Sequence, residues 1–327
     1  MRKFKVLLTH PLPAEWLTSV DDQVEWLIGP DEMMGIAPEV MPFLPEVDGI
    51  LSFLCDRVSE EHLAMAKNLK VISNYAAGTD NIAVAACTAR GIPVGNTPGA
   101  LTDATADLTL ALILTIIRQL PQAAESARQG DWKMWYAARW LGQSLKGAKL
   151  GVVGMGKIGS AVARRARSFG MDIIYSSRSS KEEIEQELGA VRMDTEELLA
   201  ACDIVTLHAP LTPETRHLIN ERTLQLMKPT AVLINTARGA EVDTDALYQA
   251  LRFGRIYAAG LDVTDPEPLP ADHPLYTLPN CVILPHIGSA TTTARKIMAE
   301  MACANLMAGL TGTDLPNCAN PGYRRIS

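Results

Sequence analysis

The sequence predicts an α/β protein with two doubly wound domains, each built on a parallel sheet. Three observations lead to this expectation. Short apolar runs with strand character alternate with helix-length segments along the chain. A glycine-rich turn, G-M-G-K-I-G at residues 154–159, lies mid-chain between such a run and a helix-length segment. The length of 327 residues suits two domains of about 100–200 residues each.

The first series of elements runs to about residue 98. Its predicted strands are apolar runs at residues 5–8, 49–54, 71–73 and 92–94. A long helix is predicted next, from about 103 to 119, with Asp103 as its N-cap and Pro121 just beyond its end. An aromatic-rich loop that contains Trp140 follows from Gly130.

The second series surrounds the glycine-rich turn. A strand is predicted at 149–153 before the turn and a helix at 160–169 after it. Five further strands are predicted at residues 173–175, 204–207, 231–235, 258–261 and 282–284. Their alternation with helical segments is typical of βα units in a parallel sheet.

These two series divide the chain into two domains. Residues 1–98 and 288–327 are expected to form a flavodoxin-like substrate-binding domain, and residues 99–287 a Rossmann-type dinucleotide-binding domain. The C-terminal helix is expected to return to the first domain, through an apolar face with Ile297, Met301, Ala304 and Leu306. Ligands are then expected in the cleft between the domains, at the carboxyl ends of the strands.

The composition indicates which kinds of binding partner and which cellular compartment to expect. The net charge of −7 argues against a nucleic-acid or acidic-membrane partner. The longest apolar run, residues 108–117, is far shorter than the roughly 20 residues that span a bilayer. The basic N-terminus continues as a short strand, which is unlike a signal peptide. Six scattered cysteines without a C-x-x-C pair are typical of reduced thiols, so a cytoplasmic protein without a metal site is expected.

The glycine-rich turn matches a dinucleotide fingerprint. Gly154 suits the tight turn, Gly156 lets the backbone approach a pyrophosphate, and Gly159 lets helix and strand pack closely. Lys157 and Ile158 belong to the same turn, at the helix N-terminus that favours an anion. A purely structural glycine-rich turn is the alternative.

The end of the second strand of this domain favours NADP(H) over NAD(H). Ser177 stands where NAD-binding proteins carry an acidic residue, and Arg178 and Ser179 follow it. Without a carboxylate there, arginine and serine donors suit a 2′-phosphate. NAD(H) stays possible, because an exposed turn with basic residues has the same composition.

Three later segments place titratable residues just beyond apolar strands. Arg238 lies in the first segment, I-N-T-A-R-G. Glu267 lies in the second, G-L-D-V-T-D-P-E-P, and His286 lies in the third, L-P-H-I-G-S-A. The carboxyl edge of a parallel sheet is where α/β proteins bind ligands. Singly, His286 could be a core histidine, and Arg238 with Glu267 a structural ion pair.

Together these motifs resemble the D-isomer-specific 2-hydroxyacid dehydrogenase family, over nearly the whole chain. Residues 258–290, Leu54 to Val58 and the tryptophan-bearing loop are similar to its glyoxylate/hydroxypyruvate reductases. The resemblance implies that His286 is the general acid, that Glu267 favours its imidazolium form, and that Arg238 holds the substrate carboxylate and polarises the ketone. It also implies a small 2-oxo acid as substrate and a homodimer.

The resemblance further implies two sets of binding residues. Substrate contacts are expected from Arg238, His286, Leu54, Ala77, Gly78, Ser289 and Trp140, the last from the partner subunit. Beyond the fingerprint and residues 177–179, cofactor contacts are expected from Thr105, His208, Ala209, Pro210, Thr215, Thr236, Ala237, Asp262 and Gly288. His10 is expected to be a surface or packing residue, and nothing near Cys55 in the sequence indicates an activated thiolate.

Two alternatives remain open. The chain could be another dehydrogenase of this family, acting on 2-ketogluconate, phosphoglycerate or phosphite. It could instead be a dinucleotide-sensing scaffold like the corepressors that share the fold, although those carry a long low-complexity C-terminal tail.

Overall fold

The computed structural model describes residues 2–326. The strands are β1 Phe4–Leu8, β2 Val24–Ile28, β3 Gly49–Phe53, β4 Val71–Tyr75, β5 Val94–Gly95, β6 Lys149–Val153, β7 Asp172–Ser176, β8 Val191–Arg192, β9 Ile204–Leu207, β10 Val232–Asn235, β11 Ala258–Leu261 and β12 Cys281–Ile283. The α-helices are α1 Glu60–Met65, α2 Val84–Ala89, α3 Thr102–Ile117, α4 Leu120–Arg128, α5 Lys157–Ser168, α6 Glu182–Leu188, α7 Thr195–Ala201, α8 Glu221–Leu226, α9 Thr244–Arg252 and α10 Thr292–Thr311.

The chain forms two compact units, one of residues up to 101 with those from 290 onwards, the other of residues 102–289. The domain boundaries predicted from the sequence follow residues 98 and 287. The first unit holds a parallel sheet in the order β2-β1-β3-β4-β5, and the second a parallel sheet in the order β12-β11-β10-β9-β6-β7-β8. These are the flavodoxin-like and Rossmann orders, so the predicted fold class is confirmed.

Helices or connecting segments cover both faces of each sheet. In the first unit, Leu8 and Leu51 pack with Leu306 of α10, whereas Leu7 and Ile50 lie in the cluster on the opposite face. In the second unit the two clusters follow the same rule, with α3 and α5 on one face and α7, α8 and α9 on the other. Strands buried on both faces read as continuous apolar runs, which explains why most of them are recognisable in the sequence.

Two strands escaped prediction because they are short or lie at a sheet edge. β2 is an edge strand, and Ile28 at its end is 51% exposed. β8 has two residues, both exposed. An edge strand lacks cover on one side and therefore lacks the continuous apolar run of a central strand.

Several predicted helix boundaries and faces were wrong. Asp103 lies inside the first turn of α3 rather than at its N-cap. Pro121 lies in the first turn of a second helix, α4, where its missing N–H costs nothing. α5 begins at Lys157, three residues earlier than the sequence predicted.

α10 packs on the first unit's sheet as expected, but Leu306 is the one residue of the predicted face that is buried. The buried row is Met298, Ala302, Leu306 and Leu310, whereas Met301 is half-buried, Ala304 is exposed and Ile297 is 39% exposed. Small residues let this helix approach the sheet, since a Cβ on Gly309 would lie 2.4 Å from the Val71 side chain. A face rich in alanine gives a weak apolar signal, which is why the larger residues misled the prediction.

One helix pair reaches the composition of a membrane span. In the described part of the chain no single helix is long and apolar enough to cross a bilayer; α3 and α4 pass that test only together, across a bend of 62°.

Candidate active site

The fingerprint turn has the geometry that a dinucleotide requires. Gly154 has φ of +95°, and a Cβ on it would lie 2.5 Å from the backbone nitrogen of Ala209. A Cβ on Gly159 would lie 2.1 Å from the carbonyl oxygen of Gly154, so this glycine lets α5 start against the strand. Gly156 has no atom within 4 Å of its Cβ position, and the space beside it is open at the N-terminus of α5. The three glycines therefore fit a bound pyrophosphate.

The loop after β9 lies directly against this turn. The backbone N–H of His208 donates to the carbonyl of Val153 at 2.7 Å, and the Thr215 hydroxyl donates to the carbonyl of Pro210 at 2.7 Å. The His208 ring shares a hydrogen bond with the Thr206 hydroxyl at 2.9 Å, while its buried Nδ1 has no partner within residues 2–326. Burial lowers the pKa of His208 to about 3, so the ring is neutral. An unpaired buried nitrogen here fits a site that a ligand completes.

The turn after β7 contains Arg178 and is contacted by a second arginine from β8. The Ser177 hydroxyl donates to the carbonyl of Ser179 at 2.6 Å, and Arg178 is exposed. From β8, Arg192 donates to the carbonyls of Ser177 at 2.9 Å and Arg178 at 3.3 Å. Arg192 thus orders the turn that we expect to distinguish the two cofactors. Arg192 could not be selected from the sequence, because β8 was not recognised.

Asn235 shapes the turn that presents Arg238. This fully buried amide donates to the carbonyl of Arg238 at 2.8 Å and accepts the N–H of Ala237 at 3.0 Å. The Arg238 side chain is half-buried, and one of its nitrogens donates to the Ala237 carbonyl at 2.8 Å. The hydroxyl of Thr236 shares a hydrogen bond with that of Thr109 at 3.0 Å, which ties the turn to α3. Asn235 was not singled out from the sequence, since a strand-end asparagine has many possible roles.

The Arg238 turn packs closely on the segment that carries Glu267. A Cβ on Gly239 would lie 1.9 Å from the carbonyl oxygen of Thr264, so only glycine allows this approach. Glu267 in turn accepts the backbone N–H of Thr264 at 3.2 Å. The guanidinium and carboxylate segments, 29 positions apart in the sequence, are therefore neighbours in the second unit.

Glu267 and His286 form a close pair. Glu267 Oε1 lies 2.5 Å from Nδ1 of His286, and the two side chains remain 34% and 23% exposed. A carboxylate on Nδ1 fixes the ring orientation and leaves Nε2 as the nitrogen that can reach a ligand. His286 has φ of +52°, a left-handed conformation that a well-supported turn must hold.

Asp262 supplies that support. Its carboxylate accepts the N–H groups of Ile287 at 2.8 Å and Gly288 at 2.7 Å, and its carbonyl accepts the N–H of His286 at 2.9 Å. The residue is 1% exposed, and burial raises the pKa of its carboxyl group. Thr105 lies close by, because a Cβ on Gly288 would be 3.3 Å from its hydroxyl. Asp262 thus positions His286; its predicted contact with the cofactor stays a prediction.

A second buried carboxyl group lies beside Arg238. Glu241 is fully buried, and neither of its carboxyl oxygens has a hydrogen-bond partner within the described residues. Burial raises the pKa of Glu241 to about 8, although the charge of Arg238 acts to lower it. At neutral pH the Glu241 carboxyl group is therefore mostly uncharged and adds little negative charge beside Arg238. Nothing in the sequence pointed to Glu241.

The remaining predicted substrate contacts lie on the first unit and in an exposed loop. Leu54 follows β3 and is 37% exposed. Asn74 donates to the carbonyl of Gly78 at 2.9 Å, and Asn96 donates to that of Ala77 at 2.7 Å, so two amides hold the predicted carboxylate cradle. Trp140 lies in the exposed loop after α4, with a guanidinium 5.1 Å from its ring centroid. Their contacts with substrate, and that of Ser289, stay predictions.

The chain is similar to known proteins over nearly its whole length. Residues 110–288 match the family model described as D-isomer specific 2-hydroxyacid dehydrogenase, NAD binding domain. A glyoxylate reductase of Thermococcus litoralis is 46% identical over 322 residues, which cover 97% of either chain.

Two similar solved structures contain different cofactors. An NADPH-dependent glyoxylate/hydroxypyruvate reductase of Sinorhizobium meliloti, in complex with NADP and malonate, has a TM-score of 0.85 at 30% identity over 98% of both chains. A D-lactate dehydrogenase of Aquifex aeolicus, complexed with NAD and lactic acid, has a TM-score of 0.87 at 29% identity over 96% of this chain and 98% of that one.

Proposed function

Because this chain belongs to the D-isomer specific 2-hydroxyacid dehydrogenase family, we propose that it reduces glyoxylate and hydroxypyruvate to their 2-hydroxy acids with NADPH. The observation that carries the proposal is the Glu267–His286 pair, held at 2.5 Å next to the segment that packs on the Arg238 turn. A proton donor and a fixed cation at one sheet edge suit the reduction of a 2-oxo acid.

Each side chain has its own role in the reaction. Arg238 binds the substrate carboxylate and polarises the C2 carbonyl oxygen. His286 donates the proton on Nε2 to that oxygen, while Glu267 stabilises the protonated ring through Nδ1. The fingerprint turn would hold the nicotinamide dinucleotide, which would supply the hydride for C2 of the substrate. With the proton from His286, this hydride would convert the C2 carbonyl to a hydroxyl group.

The charge balance around Arg238 supports an anionic substrate. A neutral Glu241 does not compete with a substrate carboxylate for the guanidinium, whereas an ionised one would. The turn at Ala77 and Gly78, whose carbonyls accept from two amides of the first unit, is a proposed substrate contact on the strength of the family resemblance.

NADPH is proposed over NADH on the strength of the turn after β7. Arg178 belongs to this turn and Arg192 of β8 donates to its carbonyls, while Ser177 stands in place of the carboxylate that would repel a 2′-phosphate. The Sinorhizobium reductase uses NADPH, whereas the Aquifex enzyme was crystallised with NAD.

A homodimer is proposed from the exposed loop after α4. Trp132, Met134, Trp135 and Leu141 are 76%, 61%, 80% and 67% exposed, an apolar surface that a second copy could cover. Sedimentation of the intact protein tests this proposal; a monomer at micromolar concentration would contradict it.

Steady-state kinetics with glyoxylate, hydroxypyruvate and pyruvate, each with NADPH and NADH, tests the function. We expect the highest kcat/KM for the first two acids with NADPH. Fast turnover of another acid with none of glyoxylate would favour a different dehydrogenase of the family. Binding of NADPH with no turnover of any acid would favour a dinucleotide-sensing scaffold.

Substitution of Arg238 tests the assignment of the site. Arg238→Ala should lower kcat/KM by a factor on the order of 10²–10³ while NADPH still binds, because the guanidinium serves substrate rather than cofactor. Arg222→Ala is the control, since Arg222 is an exposed arginine of the same unit that pairs with Glu196. Equal rates in wild type and Arg238→Ala would refute the role.

A double substitution tests the proposed preference for NADPH over NADH. Ser177→Asp combined with Arg178→Ala should shift the ratio of kcat/KM values toward NADH, because the new carboxylate repels the 2′-phosphate. A constant ratio would reject the proposed basis of the preference.

A further inference from the structure

Three potential metal ligands meet at the carboxyl edge of the first unit's sheet. His10 follows β1, and Cys55 and Asp56 follow the neighbouring strand β3. Because parallel strands end at the same edge, residues 45 positions apart come together there. From the sequence, His10 was predicted to be a surface or packing residue, and no metal site was expected.

The distances among the three side chains suit one cation. Nε2 of His10 lies 2.8 Å from Oδ1 of Asp56, and Sγ of Cys55 lies 3.6 Å from Nε2 and 3.9 Å from Oδ1. In tetrahedral zinc sites, bonds of about 2.0 Å to N or O and 2.3 Å to S place neighbouring ligand atoms roughly 3.3–3.6 Å apart. The three atoms therefore need to move by only a few tenths of an ångström to share an ion.

Both ring nitrogens of His10 face acceptor oxygens, so a proton or a cation must lie between Nε2 and its acceptor. Its Nδ1 lies 2.8 Å from the carbonyl oxygen of Pro30, which can only accept, so Nδ1 carries a hydrogen. Nε2 then faces a second acceptor, the carboxylate of Asp56, and a neutral ring would present a lone pair to it. A proton or a metal ion between them resolves this conflict. Histidine ligands of metals are commonly oriented by such an Nδ1–H bond to a carbonyl.

The carboxylate is also held in place. Oδ2 of Asp56 accepts the N–H of Phe53 at 2.8 Å, which leaves Oδ1 for the ion. The side chains of Asp56 and His10 are 0% and 7% exposed, whereas Cys55 is half-buried and gives access from solvent. Two ligands are thus preorganised and the third is reachable.

A cavity of about 550 Å³ opens beside the three ligands. Its wall includes Asp31 and Glu32, which favour a cation, and the thioethers of Met33 and Met34. Arg295 also lines it and opposes a cation. The cavity gives room for a water molecule or a fourth ligand, as sites with three protein ligands require.

We propose that His10, Cys55 and Asp56 form a binding site for a soft divalent cation of the Zn²⁺ class, with one coordination position open to this cavity. Binding displaces the thiol proton of Cys55 and the proton shared by His10 and Asp56, so the ion replaces both. The site belongs to the first unit alone and does not depend on the proposed reductase activity.

Titration of the intact protein with Zn²⁺ and with Co²⁺ tests the site. We expect one equivalent of metal per chain and, for Co²⁺, the near-ultraviolet absorption of a thiolate–cobalt bond. Cys55→Ser should abolish this band and weaken Zn²⁺ binding at least tenfold. Cys318→Ser is the matched control, because Cys318 is another half-buried free cysteine of the same unit, and it should keep both properties.

A measurement on the wild type guards against a variant that fails to fold. Zn²⁺ should protect Cys55 from iodoacetamide, as read by peptide mapping, and leave the alkylation of Cys318 unchanged. Failure of the wild type to bind stoichiometric Zn²⁺, or equal affinity and an equal cobalt band in Cys55→Ser, would overturn the proposal and identify His10 and Asp56 as a metal-free ion pair.

Discussion

Replacing Glu241 with glutamine should change how the stability of the protein depends on pH. Glu241 is fully buried beside Arg238, with no hydrogen-bond partner for either carboxyl oxygen within residues 2–326. Burial raises its pKa from an ordinary 4.5 to about 8, so the folded protein holds a proton that the unfolded chain releases. Folding then binds a proton throughout this interval of pH.

The sign and size of the effect follow from proton linkage. The stability that Glu241 contributes is fully present below pH of about 4.5 and is lost as pH rises to about 8. At about 1.36 kcal/mol per pKa unit, the full loss is at most about 5 kcal/mol. Between pH 5 and pH 7 the same relation gives a loss of about 2.5 kcal/mol. Glu241→Gln keeps the size of the side chain and removes the ionisation.

Urea denaturation at a series of pH values measures this difference. The midpoint of the wild type should fall, relative to that of Glu241→Gln, as pH rises from 5 to 8, and the gap should stay constant above about pH 9. Glu197→Gln is the control, because Glu197 is an exposed glutamate of the same unit. Parallel midpoint curves for wild type and Glu241→Gln would refute the burial argument, as would an equal change in Glu197→Gln.

Four other substitutions probe separate parts of the site. Gly156→Ala should raise the KM for NADPH at least tenfold and leave the melting temperature unchanged, because the new Cβ meets open space in the protein. Gly154→Ala, at φ of +95°, should instead lower the stability by more than about 1 kcal/mol. Equal destabilisation by the two variants in thermal melts would contradict this contrast. Glu267→Gln should lower kcat by about 10²-fold, since it removes the carboxylate that orients His286 and stabilises its protonated ring; an unchanged kcat would count against that pairing. Arg192→Ala should raise the KM for NADPH about tenfold and leave that for NADH unchanged, and a parallel rise for both would make Arg192 a purely structural residue.

Much of the fold could be predicted because the strands that build it are central and parallel. β9 and β11 match their predicted bounds, since both are fully buried runs between turn-forming residues. β2 could not be recognised, because one side of it is open and its pattern is mixed. The buried row of α10 was misjudged for a related reason, as alanines bury well but hardly stand out from their neighbours.

The candidate site divides along a similar line. Arg238, Glu267 and His286 each follow a strand of the second sheet, so position along the chain and residue type were enough to select them. Asn235, Asp262 and Glu241 act through the backbone or through burial, which become visible only when distant segments are brought together. Asp262, for example, was expected near the cofactor. Its contacts with Ile287 and Gly288, which lie 25 and 26 positions further along the chain, exist only because the ends of two neighbouring strands meet.

The placement of α10 affects the order in which the chain can fold during synthesis. One face of the N-terminal sheet is covered by a helix that is synthesised after every described strand of both sheets, and the Ser73 hydroxyl donates to the carbonyl of Ala302 across 229 positions. Residues 102–289 contain every strand of their own sheet and can complete it first. We therefore expect the N-terminal segment to wait, with apolar surface uncovered, until α10 has been synthesised, which makes it the part of a nascent chain most in need of a chaperone.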